Sequence, residues 1–347
     1  EDIDLTRTVG WFTSLYPVKL TPASTLADSL KGIKEQLRAI PDKGIGFGAL
    51  RYLGQPDVRD ALARLPQPRI TFNYLGQFDT SFDGNEQQGL FAPSGDAAGS
   101  DQSPDASLGN WLEINGQVYG GELNLNWSFS QQMFDSASIQ QLADDYAQEL
   151  KALIGHCCQP EHSGATPSDF PLARLSQVQL DGLALPLSQV DDIYPLSPMQ
   201  QGMLFQSLFG QGSGDYINQM RVDVQGLDVA RFQAAWQVAL EHHDILRTGF
   251  LWQTELAQPL QVVYKAAQVP LVEHDWQQRE DLGEALDALA QTLRAAGFVL
   301  EQAPLLSLVV VRPSIDSHHL IYTNHHILMD GWSASQLFGE VLQQYAG

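Results

Sequence analysis

The sequence predicts an α/β sandwich of the α+β type, arranged as two units joined by a partly helical linker. Three observations point there. The 347 residues suffice for two bodies of ordinary domain size, each with its own core. Apolar residues recur at both helical and strand spacing. Pro160, Pro167, Pro171 and Pro186 bracket a short helical piece near the middle of the chain. The resulting units are 1–155 and 190–347, with the linker over 156–189.

In the first unit, Leu26, Leu30, Ile33 and Leu37 mark one face of a helix over 22–39, with Pro22 near its start and Pro41 beyond its end. The run Gly44-Ile45-Gly46-Phe47-Gly48 lacks the Lys-Ser/Thr of a phosphate-binding loop, so it reads as a turn or close packing. Residues 79–110 are rich in Gly, Ser, Asp and Pro and far exceed the usual connection of about four to six residues, which predicts a mobile loop. From Gln117 the period becomes two. Leu123, Leu125, Trp127 and Phe129 alternate with Asn124, Asn126 and Ser128, as on a strand that is half-buried or lines a wet cleft. Asp135 or Ser136 can cap the helix that follows, whose apolar stripe is Ile139, Leu142, Tyr146, Leu150 and Leu153.

The helical piece of the linker spans Leu172 to Leu183. In the second unit, helices are expected over Pro198 to Phe209, Val229 to His242, Asp281 to Ala296 and Ser333 to Tyr345, with strands at Leu305 to Val311 and His319 to Asn324. No internal repeat of about 20 to 50 residues is present.

The 19 Lys and Arg against 41 Asp and Glu give a formal charge of −22, which repels phosphate backbones and argues against nucleic acid or anionic lipid as partner. The two cysteines, Cys157 and Cys158, are adjacent and form no disulfide framework of the secreted kind, so a reduced, cytoplasmic setting is expected. No run approaches the ~18 apolar residues of a membrane helix, and Glu1-Asp2-Ile3-Asp4 lacks the basic and apolar parts of a signal peptide. That start is abrupt, as though the chain begins inside a domain.

The sharpest chemical feature is the β-prone run Leu320-Ile321-Tyr322-Thr323-Asn324 ending in His325-His326, then Asp330-Gly331-Trp332 and a helix. Successive strand side chains point to opposite faces, so the two histidines cannot share one role if the strand continues that far. A zinc site would need three or four converging ligands, and only Asp330 follows, so no metal is expected. Two readings stay open on spacing alone: a catalytic imidazole at His326 that holds or takes a proton near neutral pH, or a pair of satisfied core groups.

His325-His326-x-x-x-Asp330-Gly331 resembles the HHxxxDG signature of the condensation-domain superfamily of nonribosomal peptide synthetases. His242-His243-Asp244-Ile245-Leu246-Arg247-Thr248-Gly249-Phe250 resembles that family's second segment, and Tyr194-Pro195-Leu196-Ser197-Pro198-Met199-Gln200-Gln201-Gly202-Met203-Leu204 its opening segment. In the first unit, Thr8-Val9-Gly10-Trp11-Phe12-Thr13 with Tyr16-Pro17-Val18, Pro41-Asp42-Lys43-Gly44-Ile45-Gly46-Phe47-Gly48, and Phe72-Asn73-Tyr74-Leu75-Gly76-Gln77 resemble the last signatures of epimerization domains.

This likeness implies two chloramphenicol acetyltransferase-like lobes: the carboxy-terminal lobe of an epimerization domain, then the amino-terminal lobe of a condensation domain. It implies attack by an acceptor amine on a donor thioester, both carried on the phosphopantetheine of partner carrier domains, with no cofactor bound by the chain. His326 would deprotonate or position the amine, His325 would be structural, Asp330 would ion-pair with an arginine for which Arg247 is the candidate, and Gly331 would allow a tight turn and a close backbone approach. Domain order implies a donor ending in a D-residue. The epimerase's histidine motif and glutamate would precede Glu1 and the second condensation lobe would follow Gly347, so the chain alone should be inactive or nearly so. Two other roles remain: a docking segment that orients neighbouring synthetase domains, and a freestanding coenzyme A-dependent acyltransferase, against which the epimerase-like first unit argues. Lobe–lobe self-association is a further possibility.

Overall fold

The computed structural model describes residues 7–10, 12–77, 99, 103, 109–159, 164–209, 216–253 and 256–347. It divides into two units, Glu1–His162 and Ser163–Gly347. The first residues and nearly all of the loop expected over 79–110 lie outside the described residues.

In the first unit, α1 (Leu26–Arg38) begins where Thr25 offers a side-chain acceptor, its hydroxyl taking the Asp28 N–H at 3.1 Å. Helices α2 (Ile45–Leu53) and α3 (Pro56–Ala63) follow. Only Gly44 of the glycine run makes the expected turn and close packing, with φ 78° and a Cβ position 2.1 Å from the Tyr16 ring; Ile45 to Gly48 instead open α2, and a Cβ at Gly46 or Gly48 would meet nothing within 4 Å. Strand β1 (Ile70–Gln77) pairs parallel with β2 (Leu112–Tyr119), which pairs antiparallel with β3 (Glu122–Phe129). Asp135 is the cap of α4 (Ser136–Cys157), accepting the Ser138 N–H at 3.3 Å. Ile139 seals Leu112 and Ile114 against Leu125, Trp127 and Phe129, and Tyr146 meets the Trp127 ring edge-on at 5.8 Å. The rest of the expected stripe is less covered, and Leu142 stays 46% exposed.

The second unit opens with a correction. Residues 156 and 157 still belong to α4, and much of what reads as a linker is structural mass of the second unit. Helix α5 (Gln177–Asp181) is shorter than expected: Ser176 caps its start, accepting the Gln179 N–H at 3.3 Å, while positive φ at Arg174 and Ala184 ends regular helix on either side. Phe170, Ala173, Leu180 and Leu183 are buried with Val190, Ile193, Leu251, Leu260 and Val262. Those partners lie on a three-stranded antiparallel sheet of β4 (Val190–Pro195), β6 (Thr248–Leu251) and β7 (Leu260–Tyr264), in the order β4-β7-β6. Prolines punctuate this segment, yet its apolar side chains anchor it.

Between and beyond these strands run α6 (Pro198–Phe209), β5 (Ile217–Gln225), α7 (Val229–His242), β8 (Leu271–Asp275), α8 (Leu282–Ala296), β9 (Leu306–Arg312), β10 (Ser317–His325) and α9 (Gly331–Ala346). The larger sheet has the order β5-β10-β9-β8, with only β8 and β9 parallel. Alternation sorts its side chains. Leu308, Val310, Leu320 and Tyr322 pack against Trp236 of α7 and Leu337 of α9, whereas Val309, Val311 and Ile321 pack against Leu286 and Ala290 of α8. Helices on both faces of a sheet complete the α/β sandwich.

The segment His242 to Phe250 is scaffold. Arg247 is buried and pairs with Asp244 at 2.5 Å, Thr248 Oγ1 donates to the Asp244 carbonyl at 2.8 Å, and Phe250 is fully buried. Gly249 lets β6 approach the next segment, since a Cβ would sit 2.5 Å from the Glu301 carbonyl oxygen. Gly249→Ala should therefore lower stability by about 1–3 kcal/mol, read by urea unfolding of the chain. An unchanged midpoint would show that the strand and the 301 segment can separate freely.

Candidate functional site

Strand β10 ends on His325 and the turn after it begins with His326, pinned by the His325 N–H to the Leu305 carbonyl at 3.0 Å and the His326 N–H to the Tyr216 carbonyl at 2.6 Å. His325 is buried and His326 half-buried. His325 Nδ1 accepts the Ile327 N–H at 3.1 Å, so the neutral ring carries its proton on Nε2, 3.2 Å from Ser207 Oγ of α6. Ser207 in turn donates to the Met203 carbonyl at 2.8 Å. Burial, with a smaller contribution from the adjacent His326, pushes the His325 pKa down from 6.5 to about 4. A ring held neutral and fully occupied is a poor candidate for proton transfer with substrate.

His326 presents the other character. Its Nδ1 lies 3.1 Å from the Asn218 amide nitrogen on β5, and among the described residues its Nε2 has no protein partner. Nearby, Gln200 Nε2 donates to the Ile327 carbonyl at 3.4 Å, tying α6 to the turn after the histidines.

Asp330 requires a correction. It does not pair with Arg247, which is committed to Asp244, to the Tyr264 carbonyl and, at 3.8 Å, to Asp191. Instead Asp330 is the N-cap of α9, accepting the Ser333 N–H at 2.8 Å. Hydrogen bonds from Ser333 hold its carboxyl below the usual range, and His326 adds a smaller pull in the same direction. Gly331 is not forced by strain or contact either: it opens α9, and a Cβ there would meet nothing within 4 Å. Trp332 beside it is 78% exposed. Among the described residues no group of three or more His, Cys, Asp or Glu side chains could hold a metal, and no helix is long and apolar enough to cross a membrane.

A family model described as "Condensation domain" matches residues 1–175 and again 190–347. The chain belongs to the condensation-domain family. A linear gramicidin synthase of Brevibacillus parabrevis is 40% identical over 351 residues, covering 100% of this chain and 7% of that protein. Bacitracin synthase 3 of Bacillus licheniformis is 35% identical over 353 residues, covering 99% of this chain and 5% of that protein. The chain thus spans only a small part of these multidomain relatives. Among solved structures, the starter condensation domain of rhizomide synthetase RzmA is similar over 44% of this chain and 37% of that one, at 22% identity and TM-score 0.39.

Ser207 and Asn218 were not legible as site residues, because each is distant in sequence from the histidines and is brought to them by α6 and β5. The depressed His325 pKa has a measurable consequence. The unfolded chain binds a proton at His325 below about 6.5 and the folded chain only below about 4, so this group's contribution is intact above 6.5 and lost as pH falls through that window. Denaturant titrations across the window should show a decline that His325→Gln reduces; an identical decline in the variant would place the effect elsewhere.

Proposed function

We propose that the chain is an epimerization-to-condensation junction of a nonribosomal peptide synthetase. The observation that carries this reading is the pair of successive family matches, 1–175 and 190–347, with the HHxxxDG histidines at a strand end in the second. In this reading the first unit is the carboxy-terminal lobe of an epimerization domain and the second the amino-terminal lobe of a condensation domain. Its substrates are a peptidyl or aminoacyl donor thioester ending in a D-residue and an acceptor aminoacyl thioester, each tethered to a carrier domain by phosphopantetheine.

The reaction forms a C–N bond and breaks the thioester C–S bond, releasing the donor's phosphopantetheine as thiol. Tethering supplies most of the proximity. His326 is the catalytic residue, and His325, held by Ser207 and Ile327, positions it. Asp330 fixes the start of α9 beside it. The epimerase histidine motif and the second condensation lobe lie outside residues 1–347 in this reading, so the chain has a half-site.

Supplied with loaded donor and acceptor carriers, the chain alone should therefore form dipeptide at least ~100-fold more slowly than a complete condensation domain; near-equal rates would sink the half-site reading. In the longer synthetase, His326→Ala should lower condensation about 10²–10⁴-fold, and D-configured donors should outcompete L-configured ones. Equal use of both configurations would remove the epimerization part of the proposal.

A second reading has its own support: burial of Phe170, Leu180 and Leu183 favours a segment that also docks rigidly on the second unit. Limited proteolysis should spare residues 164–189, and rapid cleavage there would count against docking.

A further inference from the structure

Asn218 stands on β5 directly across from Asn324 of β10, two residues before His326. The register of nine consecutive pairs between these strands holds it there, and the hydrogen bond from the His326 N–H to Tyr216 holds the ring's backbone from the same side. The amide nitrogen, 3.1 Å from His326 Nδ1, can only donate. A neutral imidazole has one N–H and one lone pair, so a donor at Nδ1 occupies the lone pair and leaves the proton on Nε2. The same outcome is reached at His325, where the Ile327 N–H occupies Nδ1. The difference lies in the donor. At His325 it is backbone, whereas at His326 it is a side chain that substitution can change.

We infer that Asn218 is a positioning residue that fixes His326 as the Nε2–H tautomer, so that the exposed nitrogen acts on the substrate as a hydrogen-bond donor and not as a base. The catalytic half of this inference rests on the condensation activity proposed above; the tautomer half rests on geometry alone. An Nε2–H can donate to the donor carbonyl oxygen as negative charge develops there during attack. It has no lone pair for the amine's proton. As the C–N bond forms and the C–S bond breaks, that proton goes to the departing phosphopantetheine thiolate, which leaves as thiol.

The test is a long-range proton–nitrogen correlation spectrum of the full chain with 15N-labelled histidine, recorded on the neutral ring, with His326 identified by the signals that His326→Gln removes. Wild type should show Nε2–H. Asn218→Asp, whose carboxylate can only accept, should convert the ring to Nδ1–H, and Asn218→Leu should leave a mixture of the two tautomers. Unchanged His325 signals in each variant establish that the strand end is intact. An Nδ1–H tautomer in wild type, or pure Nε2–H in both variants, would overturn the assignment. In the longer synthetase, Asn218→Asp should lower kcat about 10- to 100-fold with KM little changed. A converted tautomer with full kcat would overturn the donor role specifically, while loss of activity on His326→Ala alone would keep the condensation reading standing.

Discussion

Strand β10 is paired along both edges, to β5 and β9, and covered on both faces, by α7 and α9 on one side and α8 on the other. A strand so confined has one register, because a slip of one residue would exchange Tyr322 and Ile321 between two cores of different shape. That constraint is inherited by its last residues. His325 is carried into the interior, where ionisation is unfavourable, and His326 is left half-buried with an available edge. Two chemically identical side chains thus differ in burial and in hydrogen-bond partners.

The helix that follows is located just as firmly. Trp236, Tyr322 and Phe338 form an aromatic cluster, with Trp236 stacked on Tyr322 at 5.4 Å and Phe338 edge-on to both at 5.6 and 5.0 Å. Beyond it, His243 at the end of α7 contacts Glu340 of α9 at 2.6 Å. The segment from His242 to Phe250 therefore bears on the site from a distance: its arginine secures a strand and its histidine a helix. The residues of this segment that resemble a family signature are held by packing and ion pairs within the second unit.

Long periodic elements were legible in the sequence, and the bounds of α6 and α7 coincide with the expected ones because capping and apolar spacing agree there. The short strands β4 to β8 were not, since four to nine residues with partial alternation resemble many loops until partners are known. The linker misleads for a related reason. Proline spacing advertises a break in regular structure, while burial of Phe170 and Leu180 depends on a sheet formed by residues far along the chain. At the site, the HHxxxDG run was legible by resemblance, but the alternation expected to separate its histidines stops at His325, where β10 ends, and the partner of Asp330 could not be read. An aspartate before a helix satisfies its own N-terminus at Ser333, and that local bond prevails over a distant ion pair.

The anchoring of residues 164–189 bears on where this chain can be cut and rejoined. A seam placed at Val190, where the prolines end, would strip Phe170, Ala173, Leu180 and Leu183 from the incoming piece and leave an oily groove on its smaller sheet. A seam near residues 160–163, at the division between the two units, would hand over the apolar strap together with the strands it covers. The cassette that can be moved is thus longer than its motifs suggest.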